Sequence, residues 1–529
     1  MSYWSLTYLF AFLPIVIIIY NLLPQKHRWK LLLLASYAFF WIISNKLIVY
    51  IIATTLLIYF GGRCLSRIQK RRNEELKNVE KDKKKQIKER YLKKQRVVLT
   101  ILALILLGIL VVLKYSGFII TNVDSLFELL NIPIKIEAPK FLLPIGISFY
   151  TLQAIAYLID IYKEKIEADK NLGRLALFIS FFPQIMEGPI CRYSQIAESL
   201  WKCERTNYQK LTFGFQRILF GFFKKMMIVD RVNAFVLEVF TNYQNYDGGV
   251  IAIVAILYTL QLYMDFSGTM DVVIGTAEIF GVNMPENFKQ PFFSKSISDF
   301  WTRWHITLGA WFRDYIFYPV SLTNICKKIT TKMRKKIGNY YGPLIASAIA
   351  LFCVWLCNGI WHGSGWNYIF FGMYHFTLII LAKIFEPLFK KIQKFLHINT
   401  SKFIYGCFQI VRTSILVCIG ELFFRADTLK AGLEMFGKII TNFTFNSFTN
   451  GKILDLGLDI QDFILIVLVI VFIFIISLLK EKGIKIRESI SKKNIVIRWT
   501  LYYALIFTII IFGTYGLGYV PLNPMYANF

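Results

Sequence analysis

The chain has 529 residues, of which 56% are hydrophobic and 17% aromatic. Its continuous apolar runs of about 20 residues exclude an ordinary soluble protein and a β-barrel, and they indicate a polytopic helical membrane protein. The formal charge is +28. Because the basic residues lie in the links between apolar runs, the charge is typical of the positive-inside rule rather than of nucleic-acid binding.

The N-terminal part predicts three spans, at 4–23, 30–44 and 46–62, followed by a basic segment at 63–96. This segment carries 15 Lys and Arg against 5 Asp and Glu. We therefore expect it in the cytoplasm, which places the N-terminus outside. Two interpretations stay open for the segment: a solvated helix along anionic lipid, or a charged loop.

Two further spans are predicted at 97–115 and 141–160. Between 173 and 192, prolines, a glycine and a glutamate interrupt an apolar sequence, which predicts a buried irregular or re-entrant segment. Such backbone is tolerated at membrane depth only where protein or a cavity surrounds it. Glu187 in this segment is either a surface charge at a loop or a group lining a cavity.

Polar residues recur in the next two predicted helices. The helix at 211–229 carries Lys224 and Lys225, which we expect to reach the interface by snorkelling. In the helix that follows, Gln261 and Asp265 are four residues apart and share one face. Since polar groups are costly in a membrane, we predict that both face a cavity or partner groups and bind substrate.

An amphipathic helix is predicted after a polar and aromatic loop at 282–298. Ser296 or Ser298 can cap this helix, and Asp299 and Arg303 can pair at a spacing of four residues. Its apolar face follows the 3.6-residue period and contains Trp301, Trp304, His305, Leu308 and Phe312.

The apolar run at 343–361 ends in the sequence NGIWHGSGW. Asn358 lies one helical turn before His362, and the glycines predict close approach of a substrate or unusual backbone dihedral angles. A neutral imidazole can take a proton from a hydroxyl that attacks a thioester. His362 is therefore the candidate base and Asn358 a group that orients it. His305 stays open between base, positioning group and structural partner.

The remaining spans, which we interpret as scaffold, are predicted at 366–386, 404–423, 462–479 and 498–519. This brings the total to about ten or eleven. His375 is interpreted as a core histidine. Cys353 and Cys357 are interpreted as packing residues, and no metal site is predicted.

Several motifs together resemble a known family. FWTRWH at 300–305, WFRDY at 311–315 and NGIWHG at 358–363 resemble the membrane-bound O-acyltransferase (MBOAT) family. Further matches resemble its bacterial alginate O-acetylation (AlgI-type) branch, and they are PIGISFY at 144–150, FPQ at 182–184, QLYMDFSG at 261–268, PENF at 285–288 and LFFRA at 422–426. We interpret residues 1–529 as one membrane domain with a catalytic core at 140–430 and C-terminal helices at 431–529.

The resemblance implies an all-α fold in which helices and re-entrant segments surround a central tunnel. It implies that His362 is the catalytic residue and that His305 is the second histidine of the site. Substrate binding is assigned to Trp304, Asn358, Trp361, Asp265, Gln261, Arg313 and Asp314.

The expected activity is O-acyl transfer without a bound cofactor. Acetyl from cytoplasmic acetyl-CoA, or from another acyl thioester, would cross the cell membrane to an exported or cell-envelope polysaccharide, with an extracytoplasmic transfer protein as partner. Met186-Glu187 and the tail at 524–529 depart from the branch, which leaves acceptor and partner open. The alternatives are D-alanyl transfer to teichoic acid, and a transporter, against which the lack of an evident inverted repeat counts.

Overall fold

The structure is a computed structural model that describes residues 1–77, 79–139, 141–515 and 522. Every regular element in these ranges is helical and none is a strand, as long continuous apolar runs require. The chain divides into two compact units, residues 1–217 with 272–285 and residues 218–271 with 286 onward. The tail motif at 524–529 lies outside the described residues.

The first unit begins with a π-helix, Thr7–Phe12, which continues directly into the first α-helix. The five spans predicted before residue 165 all correspond to helices. The α-helices of this unit are α1 (Leu13–Leu22), α2 (Gln25–Ser44), α3 (Ile48–Lys77), α4 (Lys81–Leu129), α5 (Ile147–Tyr162), α6 (Leu172–Ser180), α7 (Tyr193–Lys202) and most of α8 (Tyr208–Lys224).

The basic segment at 63–96 forms the adjoining ends of α3 and α4. The 49 residues of α4 make a helix of about 73 Å, more than twice the thickness of a bilayer core. The carboxylate of Glu75 on α3 accepts hydrogen bonds from Arg90 (2.7 Å) and the Tyr91 hydroxyl (2.7 Å) on α4. The interpretation of this segment as a charged loop is wrong, because its basic residues continue the helices that carry the spans. The interpretation as a solvated helix agrees with the structure, and its position along anionic lipid stays a prediction.

The predicted irregular segment is present between α6 and α7, and residues 175–191 are buried. The Tyr3 hydroxyl donates to the Phe182 carbonyl (2.7 Å), and the Phe182 N–H donates to Ser36 Oγ (3.0 Å). Glu187 is 1% exposed, which excludes a surface position. The protein itself thus pairs the irregular backbone, as the low dielectric of a membrane demands.

The second unit contains the remaining α-helices and two further π-helices, Lys225–Val229 and Arg313–Phe317. Its α-helices are α9 (Asp230–Thr241), most of α10 (Gly248–Ile279), α11 (Ile297–Arg303), α12 (Ile306–Phe312), α13 (Tyr318–Ser321), α14 (Asn324–His362), α15 (Trp366–Ile384), α16 (Glu386–Phe395), α17 (Phe403–Arg425), α18 (Leu429–Thr441), α19 (Asn446–Thr449), α20 (Ile460–Glu481), α21 (Ile486–Ser491) and α22 (Ile495–Phe512). Gly338 breaks α14 with a φ of +87°, a conformation that favours glycine.

Eight helical stretches among the described residues are long and apolar enough to cross a membrane, and one of them comprises α2 and α3 together. Two shorter apolar stretches are Thr7–Leu22 and Ile147–Tyr162. These helices confirm the prediction of a polytopic all-α membrane protein. The helix predicted at 211–229 is present as α8 and the following π-helix, but it is not one of the eight.

Buried ion pairs surround the π-helix that follows α8. Lys224 Nζ lies 2.6 Å from Asp271 Oδ2, and Lys225 Nζ lies 3.1 Å from Asp265 Oδ1 and 3.3 Å from Asp230 Oδ1. The prediction that these lysines snorkel is wrong, because the nearby carboxylates offset the cost of burying the ammonium groups within the protein.

Candidate active site

The start of α11 agrees with the sequence. The Ser296 side chain caps the helix by accepting a hydrogen bond from the Asp299 N–H (3.1 Å). Arg303 Nε lies 3.0 Å from Asp299 Oδ1 at the predicted spacing of four residues. Both contacts stabilise α11, the helix that leads to His305.

The helix predicted over 301–312 is interrupted at His305, which has a φ of +47° between α11 and α12. The Asn287 side chain accepts hydrogen bonds from the N–H (3.0 Å) and the hydroxyl (2.9 Å) of Thr307. The Ile306 N–H donates to the Asn287 carbonyl (3.0 Å). The prediction of one uninterrupted helix is therefore wrong. Asn287, a buried loop residue, accepts the hydrogen bonds of N–H groups that would be paired within a continuous helix.

A cavity of about 410 Å³ lies among α11, α12, α14 and α15. Despite the break at His305, the five residues of the predicted apolar face stay together, since all of them line this cavity. Asn358 and His362 line it from α14, and Arg313 lines it from the π-helix after α12. The structure therefore brings together five predicted site residues, namely Trp304, His305, Arg313, Asn358 and His362.

The Trp361 side chain contacts both histidines. Its ring centroid lies 5.6 Å from that of His305 and 5.0 Å from that of His362. Phe266 lies 4.8 Å from His305, and Phe424 lies 5.1 Å from His362. Both histidines are 3% exposed, and burial lowers the pKa of His305 to about 3. Its imidazole is therefore neutral at ordinary pH, in an enclosure that limits access of water.

The glycines around His362 allow the protein's own side chains and backbone to approach. A Cβ on Gly359 would lie 2.5 Å from the Tyr368 carbonyl oxygen, and a Cβ on Gly363 would lie 2.2 Å from the Tyr368 ring. The φ angles of Gly363 (−169°) and Gly365 (−159°) are extended. The prediction of unusual dihedral angles is wrong at these two positions, and the close approach is made by Tyr368.

Three predicted site residues are held by protein partners and do not line the cavity. Gln261 Nε2 donates to the Val229 carbonyl (3.0 Å), and Asp265 belongs to the ion pair with Lys225. Asp314 Oδ1 accepts a hydrogen bond from Arg313 Nε (2.9 Å), so it adjoins the cavity through that arginine. Their assignment to substrate binding stays a prediction.

His375 lies outside the cavity lining and packs among aromatic rings. Its ring centroid lies 4.8 Å from those of both Trp301 and Phe371, and the side chain is fully buried. This environment agrees with its interpretation as a core histidine.

The cavity also contains residues absent from the predicted site, including Trp355 and Lys383. Trp355 lies seven residues before His362 on α14. This spacing of two turns places both on one face and could have identified the tryptophan. No sequence pattern could have identified Lys383 as a cavity residue, because the face of α15 that packs against α14 is decided by the tertiary structure.

The described residues contain no cluster of three or more His, Cys, Asp or Glu side chains placed to hold a metal ion. Cys353 and Cys357 are free thiols. The polar groups that line the cavity are instead imidazole, amide, hydroxyl, indole and cationic side chains. Such groups can accept a proton, orient a reactant and bind an anion.

The sequence is similar to one known protein family and to several known proteins. The sequence model of the membrane-bound O-acyltransferase family matches residues 168–331. A probable alginate O-acetylase of Pseudomonas syringae is 32% identical over 441 residues, covering 83% of this chain and 75% of the relative. Another, of Pseudomonas aeruginosa, is 30% identical over 477 residues, covering 89% and 81%. A teichoic acid D-alanyltransferase of Bacillus subtilis is 31% identical over 320 residues, covering 59% and 77%.

Proposed function

The chain belongs to the membrane-bound O-acyltransferase family, and from this premise we propose that it acetylates hydroxyl groups of an exported or cell-envelope polysaccharide. The observation that carries the proposal is the cavity lined by His305, Asn358 and His362, of which both histidines are buried. Similarity to two probable alginate O-acetylases over more than four fifths of the chain supports acetyl as the acyl group and a polysaccharide as the acceptor.

In the proposed reaction, His362 acts as general base. Its imidazole takes the proton of the acceptor hydroxyl while that oxygen attacks the thioester carbonyl. The carbon–sulfur bond then breaks, the thiolate leaves, and the proton passes from the imidazolium to the sulfur. The products are the acetyl ester and a free thiol.

The other predicted site residues in or beside the cavity position the reactants in this proposal. Asn358 lies one turn before His362 on α14 and orients the imidazole. His305, Trp304 and Trp361 hold the acyl group and the acceptor against the imidazole of His362. Arg313 and Asp314 bind substrate at the exposed side of the cavity. A preorganised site of this kind lowers the entropic barrier of a reaction between two substrates.

The donor and the topology complete the proposal. The protein is a multi-pass protein of the cell membrane with its N-terminus outside and the basic segment at 63–96 in the cytoplasm. Acetyl-CoA is the cytoplasmic donor, residues 140–430 form the catalytic core, and an extracytoplasmic partner protein takes part in delivery to the polymer.

The first test compares O-acetyl esters on envelope and secreted polysaccharide in cells that carry wild type, His362→Ala or His397→Asn. His397 is exposed and does not line the cavity, and its φ is +50°, which asparagine tolerates. We expect His362→Ala to abolish the esters at equal protein level and His397→Asn to retain them. Near-normal acetylation by His362→Ala contradicts the assignment.

A second candidate is D-alanyl transfer to teichoic acid, supported by the relative of that name in Bacillus subtilis. The same cells distinguish the two activities, because mild alkaline hydrolysis releases acetate from acetyl esters and D-alanine from D-alanyl esters, and each product can be quantified. Loss of D-alanine esters with intact acetyl esters in His362→Ala would favour the second candidate.

A further inference from the structure

The backbone of His305 adopts a conformation that the residues next to it in sequence do not favour. Its φ is +47° and its ψ is +48°, which is the left-handed region, unfavourable for residues with a side chain. The apolar spacing over 301–312 favours one continuous helix instead. A contact from elsewhere in the chain therefore has to stabilise this conformation.

The loop residues 287–289 divert the hydrogen bonds that a continuous helix would make at this point. In such a helix the Thr307 N–H would donate to the Arg303 carbonyl, four residues earlier. The Arg303 carbonyl instead accepts from the Lys289 N–H (2.9 Å). The Thr307 N–H donates to Asn287 Oδ1 (3.0 Å). Both partners of the missing helical bond, one on each side of His305, are thus paired with the same short loop.

Asn287 makes further contacts to the start of α12, and its amide is held in turn. Asn287 Oδ1 also accepts from the Thr307 hydroxyl (2.9 Å), and the Asn287 carbonyl accepts from the Ile306 N–H (3.0 Å). Asn287 Nδ2 donates to the sulfur of Met270 (3.4 Å), which fixes the orientation of the amide. Asn287 is fully buried and does not line the cavity, so it can affect a reactant only through the residues that it holds.

The same loop supports the His305 side chain. The ring centroid of Phe288 lies 5.1 Å from those of both Trp304 and Phe266. Phe266 in turn lies 4.8 Å from the imidazole of His305, and Trp361 lies 5.6 Å from it. The backbone and the imidazole of His305 are therefore both supported by residues 287–288.

We propose that Asn287 is a positioning residue for acyl transfer, which holds His305 in the left-handed conformation that presents its imidazole to the cavity. This inference rests on the proposed function, in which His305 holds the reactants against His362. Without the Asn287 side chain, the helical hydrogen bond from Thr307 to Arg303 competes, and α11 can join α12. The imidazole then moves relative to His362, and a displacement of about 1 Å can cost about 100-fold in rate.

The first experiment observes His305 directly, by NMR of the purified full chain in lipid nanodiscs with carbon-13 at histidine Cε1. The chain has five histidines, so each signal can be assigned by substitution. We expect Asn287→Ala to shift the His305 signal, because the imidazole moves relative to the rings of Phe266 and Trp361. The signal of the exposed His397 should stay in place.

The second experiment measures the initial rate of acetyl-ester accumulation on envelope and secreted polysaccharide at equal protein level. We expect Asn287→Ala to lower this rate about tenfold or more. Thr307→Val keeps the side-chain shape and the N–H but removes the hydroxyl that donates to Asn287, so it should fold and give smaller changes of the same sign in both experiments.

Asn283→Ala is the matched control, because Asn283 is an exposed asparagine four residues earlier that does not line the cavity. It should match wild type in signal and in rate. The inference is overturned if the His305 signal stays in place in both Asn287→Ala and Thr307→Val, or if it shifts while the rate stays at the wild-type level. Absence of acetyl esters in wild type would overturn the proposed function and this inference together, whereas intact wild-type acetylation with an unmoved His305 signal in the variants overturns the inference alone.

Discussion

A single buried lysine illustrates how polar residues are accommodated in this protein. Lys225 donates to Asp265 (3.1 Å) and to the Leu522 carbonyl (3.0 Å), and it lies 3.3 Å from Asp230. Each of these groups offsets part of the cost of burying the ammonium. Asp265 thus has a structural partner. A substitution of Asp265 can distinguish this structural role from the predicted role in substrate binding.

Asp265→Ala should lower the stability of the protein rather than its affinity for the donor. Removing one member of a buried ion pair costs about 3 kcal/mol when a second carboxylate remains, so the thermal unfolding midpoint in detergent should fall by several degrees. Binding of an unreactive acetonyl thioether of coenzyme A, measured at a temperature where the variant is folded, should match wild type. Weaker binding with an unchanged unfolding midpoint would instead favour the substrate-binding role.

At the scale of elements, α14 and α15 approach closely through small residues. A Cβ on Gly372 would lie 2.3 Å from the Trp355 carbonyl oxygen, and a Cβ on Gly359 would lie 2.5 Å from the Tyr368 carbonyl oxygen. Because lipid-embedded helices associate mainly by packing, small residues at such contacts set their separation. The separation of α14 and α15 determines where His362 stands relative to the rest of the cavity.

Gly372→Ala should separate these helices and reduce catalysis. Overpacking against backbone atoms costs about 1–3 kcal/mol, and the displaced cavity wall should reduce acetyl transfer more than tenfold, as misplacement of a catalytic group does. The measurements are the unfolding midpoint and polysaccharide acetylation.

Gly437→Ala on α18 is the control for this substitution. A Cβ there meets no atom within 4 Å, so alanine should be neutral or stabilising by about 1 kcal/mol in a helix. Equal unfolding midpoints and equal acetylation in the two variants would show that the α14–α15 contact does not depend on glycine.

At the scale of the whole molecule, the long helices and the basic segment set the expected topology. The basic residues at 63–96 continue α3 and α4, which themselves contain apolar spans. The positive-inside rule predicts that the junction of these helices lies in the cytoplasm and the far end of α4 outside. This orientation also sets the side from which a soluble donor enters.

Cysteine labelling tests the orientation. In a Cys64→Ser background, which removes an exposed thiol, Lys84→Cys should react with a membrane-impermeant maleimide only in inside-out vesicles. Glu128→Cys, at the far end of α4, should react only in spheroplasts. The reverse pattern would place the N-terminus in the cytoplasm and contradict the proposed topology.

Local periodicity was sufficient to predict much of the fold and to place part of the candidate site. Apolar runs identified the polytopic all-α class, and the spacing of Asn358 and His362 placed both on one face of α14. The apolar face at 301–312 was also correct, because side-chain period depends on neighbours in sequence. The break at His305 was missed because Asn287, a residue 18 positions earlier, supplies the competing hydrogen bonds.

The sequence by itself determined that this protein is a helical membrane acyltransferase, since hydrophobic length and short motifs are local properties that any fold of the chain must satisfy. Only the tertiary structure decided that α11, α12, α14 and α15 enclose one cavity, that Lys224 and Lys225 are buried in ion pairs, and that Lys383 stands at the cavity rim. The physical reason is that these arrangements depend on which helix faces pack together. That choice is made by shape and charge complementarity between segments distant in sequence.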